Sequence, residues 1–214
     1  MVEVSCIDTS AFTAEDYQTI LSRLSPLRRE KAERYRTRAA AYLSAGAGYL
    51  LDCALRRAGL AERDAKYAFG EHGKPMIGGF HFNLSHSGTV AVLATADGEV
   101  GVDIEKVVPV GEGLVARVCT KRERALLAGI PDGELPREFF RLWTAKESVG
   151  KFLGTGLGGD PKGIEVNLTP PASATCRGKE LRAALFEYAI EGYALTACAD
   201  EPFDAQLNVL KFAR

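Results

Sequence analysis

Hydrophobic residues alternate with polar ones in several short stretches of the chain, and they recur at helical spacing in longer ones. The short runs predict β-strands, because successive side chains of a strand point to opposite faces. The predicted strands cover residues 2–7, 80–84, 90–94, 100–105, 164–168, 181–188, 193–199 and 203–210. Together with the helical stretches between them, they indicate an α+β protein.

Helices are indicated by their start and stop signals. Ser25 followed by Pro26 suits a helix start, since serine caps the first turn and proline fits its first position. The basic residues between 28 and 34 then form one face. Residues 120–123 read as a capping box that opens a short helix. A longer helix is predicted over residues 136–154.

A further helix is predicted over residues 39–57. Gly46 and Gly48 lower its intrinsic stability, so we expect them where the helix packs closely against another element. Residues 70–79 are rich in glycine and predict a loop.

Residues 89–98 resemble residues 192–200 in pattern, and each stretch follows a helix-rich segment. One interpretation is an internal duplication, which predicts two similar α+β halves with a ligand cleft between them. The halves would be residues 1–100 and 101–214. The alternative, two unrelated apolar strands, stays open on this pattern alone.

Composition limits the classes of function. The formal net charge of −1 over 214 residues gives no basic field for nucleic acid, so an anion site must come from a local cluster. The five cysteines show no paired spacing, which argues against structural zinc and a disulfide framework. We see no basic-then-apolar leader and no apolar run of membrane-spanning length. The expectation is a cytoplasmic protein without membrane or nucleic-acid partners.

Two carboxylates on one predicted strand indicate a metal site. Asp103 and Glu105 are two positions apart, so both side chains project from the same face. Adjacent carboxylates repel each other unless a cation lies between them, and Mg²⁺ prefers such oxygen ligands. An exposed edge with two solvated acids is the alternative.

A second group of functional residues lies on the predicted helix 136–154. Trp143, Glu147 and Lys151 are four positions apart and therefore share one helix face. Their aromatic surroundings indicate a partly buried functional pair, and the alternative is an ordinary surface ion pair.

Polar residues also gather at the end of the strand that begins near residue 80. Ser85 and His86 can donate hydrogen bonds to phosphate oxygens there, although a single histidine is more often structural. Upstream, Gly73, Lys74 and Pro75 supply a cation on a stiffened loop, or form a simple surface turn.

Four motifs, taken in their order along the chain, are similar to those of the Sfp-type 4′-phosphopantetheinyl transferases. The motifs are Gly73-Lys74-Pro75, Phe82-Asn83-Leu84-Ser85-His86-Ser87, Gly101-Val102-Asp103-Ile104-Glu105 and Trp143-x-x-Lys146-Glu147-Ser148-x-x-Lys151. Each motif alone is weak, but their order and the chain length together are specific. The resemblance implies a pseudo-dimer of two α+β halves with the active site in the cleft. It also implies transfer of the 4′-phosphopantetheine arm of coenzyme A to a serine of an apo acyl or peptidyl carrier protein.

The resemblance also assigns roles to individual residues. Asp103, Glu105 and Glu147 would hold Mg²⁺, or Mn²⁺ as the alternative metal. Glu147 and Lys151 would be catalytic, and Lys151 would neutralise the diphosphate. The remaining coenzyme A contacts would come from Arg28, Gly73, Lys74, Pro75, Ser85 and His86. The flexible segment 154–159, with Leu153 beside it, would meet the carrier protein, and the expected oligomeric state is a monomer.

One position departs from the family pattern. The family usually has a basic residue where Tyr42 and Leu43 stand here, so Arg36 or Arg38 would have to contact the 3′-phosphate. Three rival functions stay open: a non-catalytic module that binds coenzyme A or nucleotides, a magnesium-dependent phosphohydrolase, and a plain interaction protein.

Overall fold

The computed structural model of the chain describes residues 1–156, 160–170 and 172–212. In this part the α-helices are α1 Ala14–Arg23, α2 Pro26–Glu33, α3 Arg38–Arg57, α4 Glu112–Val118, α5 Lys121–Leu127 and α6 Leu135–Phe152. The strands are β1 Val2–Asp8, β2 Tyr67–Phe69, β3 Pro75–Ile77, β4 His81–Ser87, β5 Val90–Ala96, β6 Val100–Lys106, β7 Ile164–Asn167, β8 Ser173–Cys176, β9 Lys179–Glu180, β10 Ala184–Glu187, β11 Tyr193–Ala199 and β12 Phe203–Val209.

The order of elements repeats once along the chain. In the first half, β1 is followed by three helices and by the hairpin β4–β5, and the strands pair in the order β4-β5-β1. In the second half, β6 is followed by three helices and later by the hairpin β10–β11, and the strands pair in the order β10-β11-β6. The predicted α+β pseudo-dimer is therefore confirmed, and the two similar stretches are the equivalent strands β5 and β11.

The long helix of each half packs against the sheet of that half, α3 on β1, β4 and β5, and α6 on β6 and β11. A Cβ atom on Gly46 would lie 2.6 Å from the Thr9 side chain, and one on Gly48 would lie 2.7 Å from Leu24. The expected close packing of α3 at its two glycines is thus confirmed.

Gly101 brings α6 unusually close to β6. A Cβ atom at this position would lie 2.0 Å from the carbonyl oxygen of Ser148 and 2.4 Å from the amide nitrogen of Phe152. Only glycine permits that approach, because both neighbours are backbone atoms of a helix. The contact fixes the distance between the functional residues of α6 and those of β6.

A hydrophobic cluster lies between the main sheets of the two halves and joins them. It includes Val4, Val92, Val102 and Leu195, all of which are fully or almost fully buried. The last strand, β12, runs parallel to β1 and extends the sheet of the first half. The repeat begins again at β6, but the division at residue 100 remains a prediction because the two halves share this core.

Several elements differ from the sequence predictions. The loop prediction over residues 70–79 is wrong at Pro75–Ile77, which pairs with Tyr67–Phe69 in a short hairpin. Strands this short carry too few residues for a pattern to show. Helices α1 and α4 and strands β8 and β9 were not predicted, although the capping box at Thr13 and Asp16 marks the start of α1. Among the described residues, no helix is both long enough and apolar enough to cross a membrane.

Candidate active site

Asp103 lies on β6 in the cleft between the halves, and its side chain is only 4% exposed. Its Oδ1 accepts hydrogen bonds from Ser85 Oγ at 2.7 Å and from Lys151 Nζ at 2.6 Å. Its Oδ2 is buried and has no hydrogen-bond partner among the described residues. A buried carboxylate oxygen without a donor is costly unless a cation compensates it.

Lys151 reaches from α6 across to β6. Its Nζ donates to Asp103 Oδ1, to Ser85 Oγ at 3.0 Å and to the carbonyl oxygen of Val102 at 3.1 Å. The ion pair between Lys151 and Asp103 thus joins α6 to β6. It is not the surface pair within one helix that the sequence left open as the alternative. This arrangement places the ammonium group at the cleft.

Glu105 and Glu147 lie close enough to Asp103 for its charge to act on both of them. Burial raises the pKa of Glu105, and Asp103 raises it further, while donors on Ser87 and Trp143 and the charge of Lys151 oppose the shift. Burial also raises the pKa of Glu147 to about 6; repulsion from Asp103 and Glu105 adds to the shift, and Lys151 opposes it. Three carboxylates that repel one another, one of them buried and two partly buried, are the charge pattern that a divalent cation relieves.

Within residues 1–156, 160–170 and 172–212, no three acidic, histidine or cysteine side chains are arranged to coordinate a metal as they stand. Two other observations nevertheless fit a hard cation. The donors are all carboxylate oxygens, and Asp103 Oδ2 is buried without a partner. Mg²⁺ usually takes one or two carboxylates and completes its shell with water and substrate phosphates, so the residues fit the ion.

A cavity of about 280 Å³ opens beside these residues, between the first half and α6. Its walls are formed by Arg28, Lys31, Ser44, Ala47, Leu84, Ser85, His86 and Lys151. Arg28, Lys31 and Lys151 place three basic side chains in one small cavity, which makes it a candidate site for a polyanion. The structure therefore brings Arg28, Ser85, His86 and Lys151 together at one cavity, and their contacts with coenzyme A remain a prediction.

Lys31 and Ser44 are cavity residues that the sequence prediction missed. Lys31 follows Arg28 by three positions, which is the helical signal that could have revealed it. Burial and the charge of Arg28 lower the pKa of Lys31. Tyr42 points away into the core, where its ring centroid lies 5.2 Å from that of Tyr17. Position 42 therefore supplies no cation to the cavity, whose basic residues are Arg28, Lys31 and Lys151.

A buried network holds Arg28 in place. The N-cap Ser25 of α2 donates both its backbone N–H and its hydroxyl to Glu62, which is fully buried. Tyr67 donates to the same carboxylate and receives a hydrogen bond from Arg28 Nε at 3.3 Å. Arg28 Nη2 remains buried without a partner in the described part of the chain, so one strong donor is left for an anion.

His86 lies on the cavity wall near the same cations. The residue as a whole is exposed, yet desolvation, first of all, and then the charges of Lys31, Lys151 and Arg28 lower the pKa of its ring. A neutral His86 can still donate one hydrogen bond to a phosphate oxygen.

Gly73, Lys74 and Pro75 are not among the residues that line this cavity. Lys74 Nζ binds Glu99 Oε2 at 2.6 Å and the carbonyl oxygen of Val100 at 3.2 Å. The structure therefore does not place them beside the cavity residues, and their contact with the nucleotide remains a prediction. Of the segment 154–159, Leu157, Gly158 and Gly159 lie outside the described residues.

Lys146, the other lysine of the α6 motif, points away from the cleft. It is 0% exposed and pairs with Glu123 at 2.7 Å. Its Nζ also donates to the carbonyl oxygens of Val118, Pro161 and Ile164. The pair ties α6 to the segments around it, a structural role that the sequence pattern did not show.

Comparisons with known proteins agree with this geometry. A family model described as the 4′-phosphopantetheinyl transferase superfamily matches residues 99–198. The chain is 30% identical over 211 residues to the 4′-phosphopantetheinyl transferase ffp of Bacillus subtilis, covering 92% of each chain. It is 28% identical to the 4′-phosphopantetheinyl transferase Sfp of Bacillus subtilis (strain 168), covering 88% of this chain and 87% of that one. The chain belongs to the 4′-phosphopantetheinyl transferase family.

Among solved structures, a holo-(acyl-carrier-protein) synthase from Bacillus anthracis in complex with CoA (3′,5′-ADP) matches with a TM-score of 0.41 and 21% identity. The match covers 47% of this chain and 92% of that one.

Proposed function

We propose that this transferase moves the 4′-phosphopantetheine arm of coenzyme A onto a serine of an apo acyl or peptidyl carrier protein and releases 3′,5′-ADP. The observation that carries the proposal is the basic cavity beside the three carboxylates, at the junction of the two halves. Coenzyme A carries a diphosphate and a 3′-phosphate, which match a row of cations that begins at Arg28 and Lys31 and ends at Lys151.

Each phosphate has candidate partners. Arg28 and Lys31 lie on α2 and Ser44 lies on α3, and we assign these three residues to the 3′-phosphate. Lys151, with Ser85 and His86, is assigned to the diphosphate, whose negative charge a close ammonium group neutralises. Asp103, Glu105 and Glu147 would hold Mg²⁺, or Mn²⁺ as the alternative, and the bound metal would supply further charge neutralisation at the diphosphate.

The reaction then needs alignment and a proton acceptor. The serine oxygen of the carrier attacks the phosphorus that bears the pantetheine arm, and a new oxygen–phosphorus bond forms. The bond from that phosphorus to the bridging oxygen breaks, and 3′,5′-ADP leaves with the negative charge. Glu147 is our candidate to accept the serine proton. In the metal-free protein burial raises the pKa of Glu147 to about 6, so its carboxylate is mostly ionised at neutral pH and available as an acceptor.

The cellular setting is part of the same proposal. A monomer suffices because the duplicated halves supply both walls of the cavity. The five cysteines are free thiols, which is usual for a reducing cytoplasm. The carrier would meet the segment 154–159, with Leu153 beside it.

A mass measurement tests the transfer. The protein, coenzyme A, MgCl₂ and an apo carrier are mixed, and the carrier is expected to gain about 340 Da, the mass of one phosphopantetheine arm. A phosphohydrolase would release products from coenzyme A without any carrier. A binding module would leave both the carrier and coenzyme A unchanged, and an interaction protein would not need magnesium.

The assignment of the 3′-phosphate has its own test. Lys31→Met is expected to raise the KM for coenzyme A about 10-fold or more, because a hydrogen bond to a charged group contributes roughly 1.5–3 kcal/mol. The KM for dephospho-coenzyme A, which lacks the 3′-phosphate, should stay near the wild-type value. Lys179→Met, a change at an exposed lysine of β9, is the matched control. Equal losses with both substrates would contradict the assignment.

A further inference from the structure

Side chains of β4, and not its backbone groups, accept hydrogen bonds from the backbone of β6 across the junction of the two halves. Alternate side chains of β4 accept hydrogen bonds from alternate backbone N–H groups of β6. The pairs are Val102 N to Asn83 Oδ1 at 3.0 Å, Ile104 N to Ser85 Oγ at 3.4 Å, and Lys106 N to Ser87 Oγ at 3.1 Å. We call Asn83, Ser85 and Ser87 the side-chain ladder.

The side-chain ladder supplies hydrogen-bond acceptors where the sheets of the two halves meet edge to edge. β6 is the edge strand of its three-stranded sheet, and β4 is the edge strand of the other sheet. The backbone N–H groups of Val102 and Ile104 on this edge are buried and need acceptors. Side chains supply them, because β4 and β6 are not paired by a backbone ladder. Lys151 contacts the same junction, where its Nζ reaches the carbonyl oxygen of Val102.

Two of the three ladder residues also contact a carboxylate. Ser85 Oγ donates to Asp103 Oδ1, and Ser87 Oγ donates to Glu105 Oε2, each at 2.7 Å. A hydroxyl group has one donor and two acceptor positions. Since the backbone N–H of Lys106 occupies an acceptor position of Ser87, the proton of that hydroxyl is directed to Glu105. The ladder thus couples the packing of the two halves to the orientation of the acidic side chains.

We propose that Ser87 is a positioning residue: it fixes the Glu105 carboxylate for the divalent cation, as the last member of the side-chain ladder. This inference rests on the proposed function, in which Glu105 is a metal ligand. Partners that orient a ligating carboxylate commonly change metal affinity by 10- to 100-fold when they are removed. Asn83 accepts only the backbone bond from Val102 in this ladder, so it offers a matched comparison within the same structure.

The experiment titrates MnCl₂ into the protein saturated with coenzyme A and follows free Mn²⁺ by electron paramagnetic resonance. Ser87→Ala is expected to weaken Mn²⁺ binding about 10-fold or more. Ser87→Thr keeps the hydroxyl and should restore affinity to within about 3-fold of the wild type, by the same reasoning. Asn83→Ala should lower the denaturation midpoint but leave Mn²⁺ affinity near the wild-type value. Ser22→Ala, at an exposed serine of α1 that bonds a backbone carbonyl, controls for the loss of a hydroxyl group.

Other outcomes overturn the proposal in distinguishable ways. If Ser87→Ala binds Mn²⁺ like the wild type while Glu105→Gln does not, the positioning role fails and the metal role of Glu105 stands. If Asn83→Ala weakens Mn²⁺ binding as much as Ser87→Ala, both losses come from weaker packing of the two halves. Ser87 then has no positioning role of its own. If Glu105→Gln binds Mn²⁺ normally, the metal assignment itself fails. Should Asn83→Ala not fold, the comparison of Ser87→Ala with Ser87→Thr still decides.

Discussion

Glu147→Gln should make the metal-free protein more stable while it removes most of the transferase activity. Burial and the nearby carboxylates raise the pKa of Glu147 from 4.5 to about 6. A shift of about 1.5 units corresponds to about 2 kcal/mol between the two protonation states. Glutamine has nearly the same shape and carries no charge, so it removes this penalty.

The sign of the effect follows from proton linkage. Because the folded protein keeps the Glu147 proton to higher pH than the unfolded chain does, stability falls as the pH rises from about 4.5 to about 6. The ionised side chain therefore destabilises the fold at pH 7.5 by up to about 2 kcal/mol, an upper value because Glu147 is partly exposed. The variant should be more stable by that amount at pH 7.5, and the advantage should disappear near pH 4.

Urea denaturation in EDTA, followed by circular dichroism at both pH values, measures the difference. Glu191→Gln, at an exposed glutamate, is the control. In the transfer assay with magnesium present, Glu147→Gln should be slower by on the order of 10²–10³, the usual effect of removing one preorganised electrostatic contact. Near-normal transfer would refute the catalytic assignment. A variant that is no more stable than the wild type at pH 7.5, or equally favoured at both pH values, would refute the electrostatic reasoning.

Two further changes test how α6 is held. Gly101→Ala places a methyl group against the backbone at Ser148 and should lower the free energy of unfolding by at least about 3 kcal/mol or prevent folding. Gly111→Ala, with no atom within 4 Å of the added group, is the control and should not have this effect. Equal thermal midpoints of the two variants would contradict the prediction. Lys146→Met leaves the buried Glu123 charge unpaired and should lower the free energy of unfolding, measured by urea denaturation, by about 3–5 kcal/mol. A second change, Glu123→Gln, should recover much of this loss. A Lys146→Met variant as stable as the wild type would argue against a stabilising role of the Lys146–Glu123 pair.

The start of α2 shows how far local rules reach. Ser25 and Pro26 predicted its beginning correctly, because capping depends on neighbouring residues in the chain. The short hairpin at Tyr67–Phe69 and Pro75–Ile77 was missed, since its pairing depends on contacts that a three-residue pattern cannot encode. Of the basic residues that line the cavity, the family resemblance implied Arg28 and Lys151 but not Lys31, because a basic helix face does not show which of its residues meets another element. Their roles toward coenzyme A remain predictions.

The sequence by itself determined which residues share a face: Asp103 with Glu105 on a strand, and Glu147 with Lys151 on a helix. It did not determine which face of the helix meets the sheet. Tertiary packing decided that, because the absence of a side chain at Gly101 lets α6 approach β6 with Lys151 toward the cleft and Lys146 in the core. The side-chain ladder likewise exists only after folding, since its acceptors and donors lie about twenty residues apart and meet only when the two halves pack together.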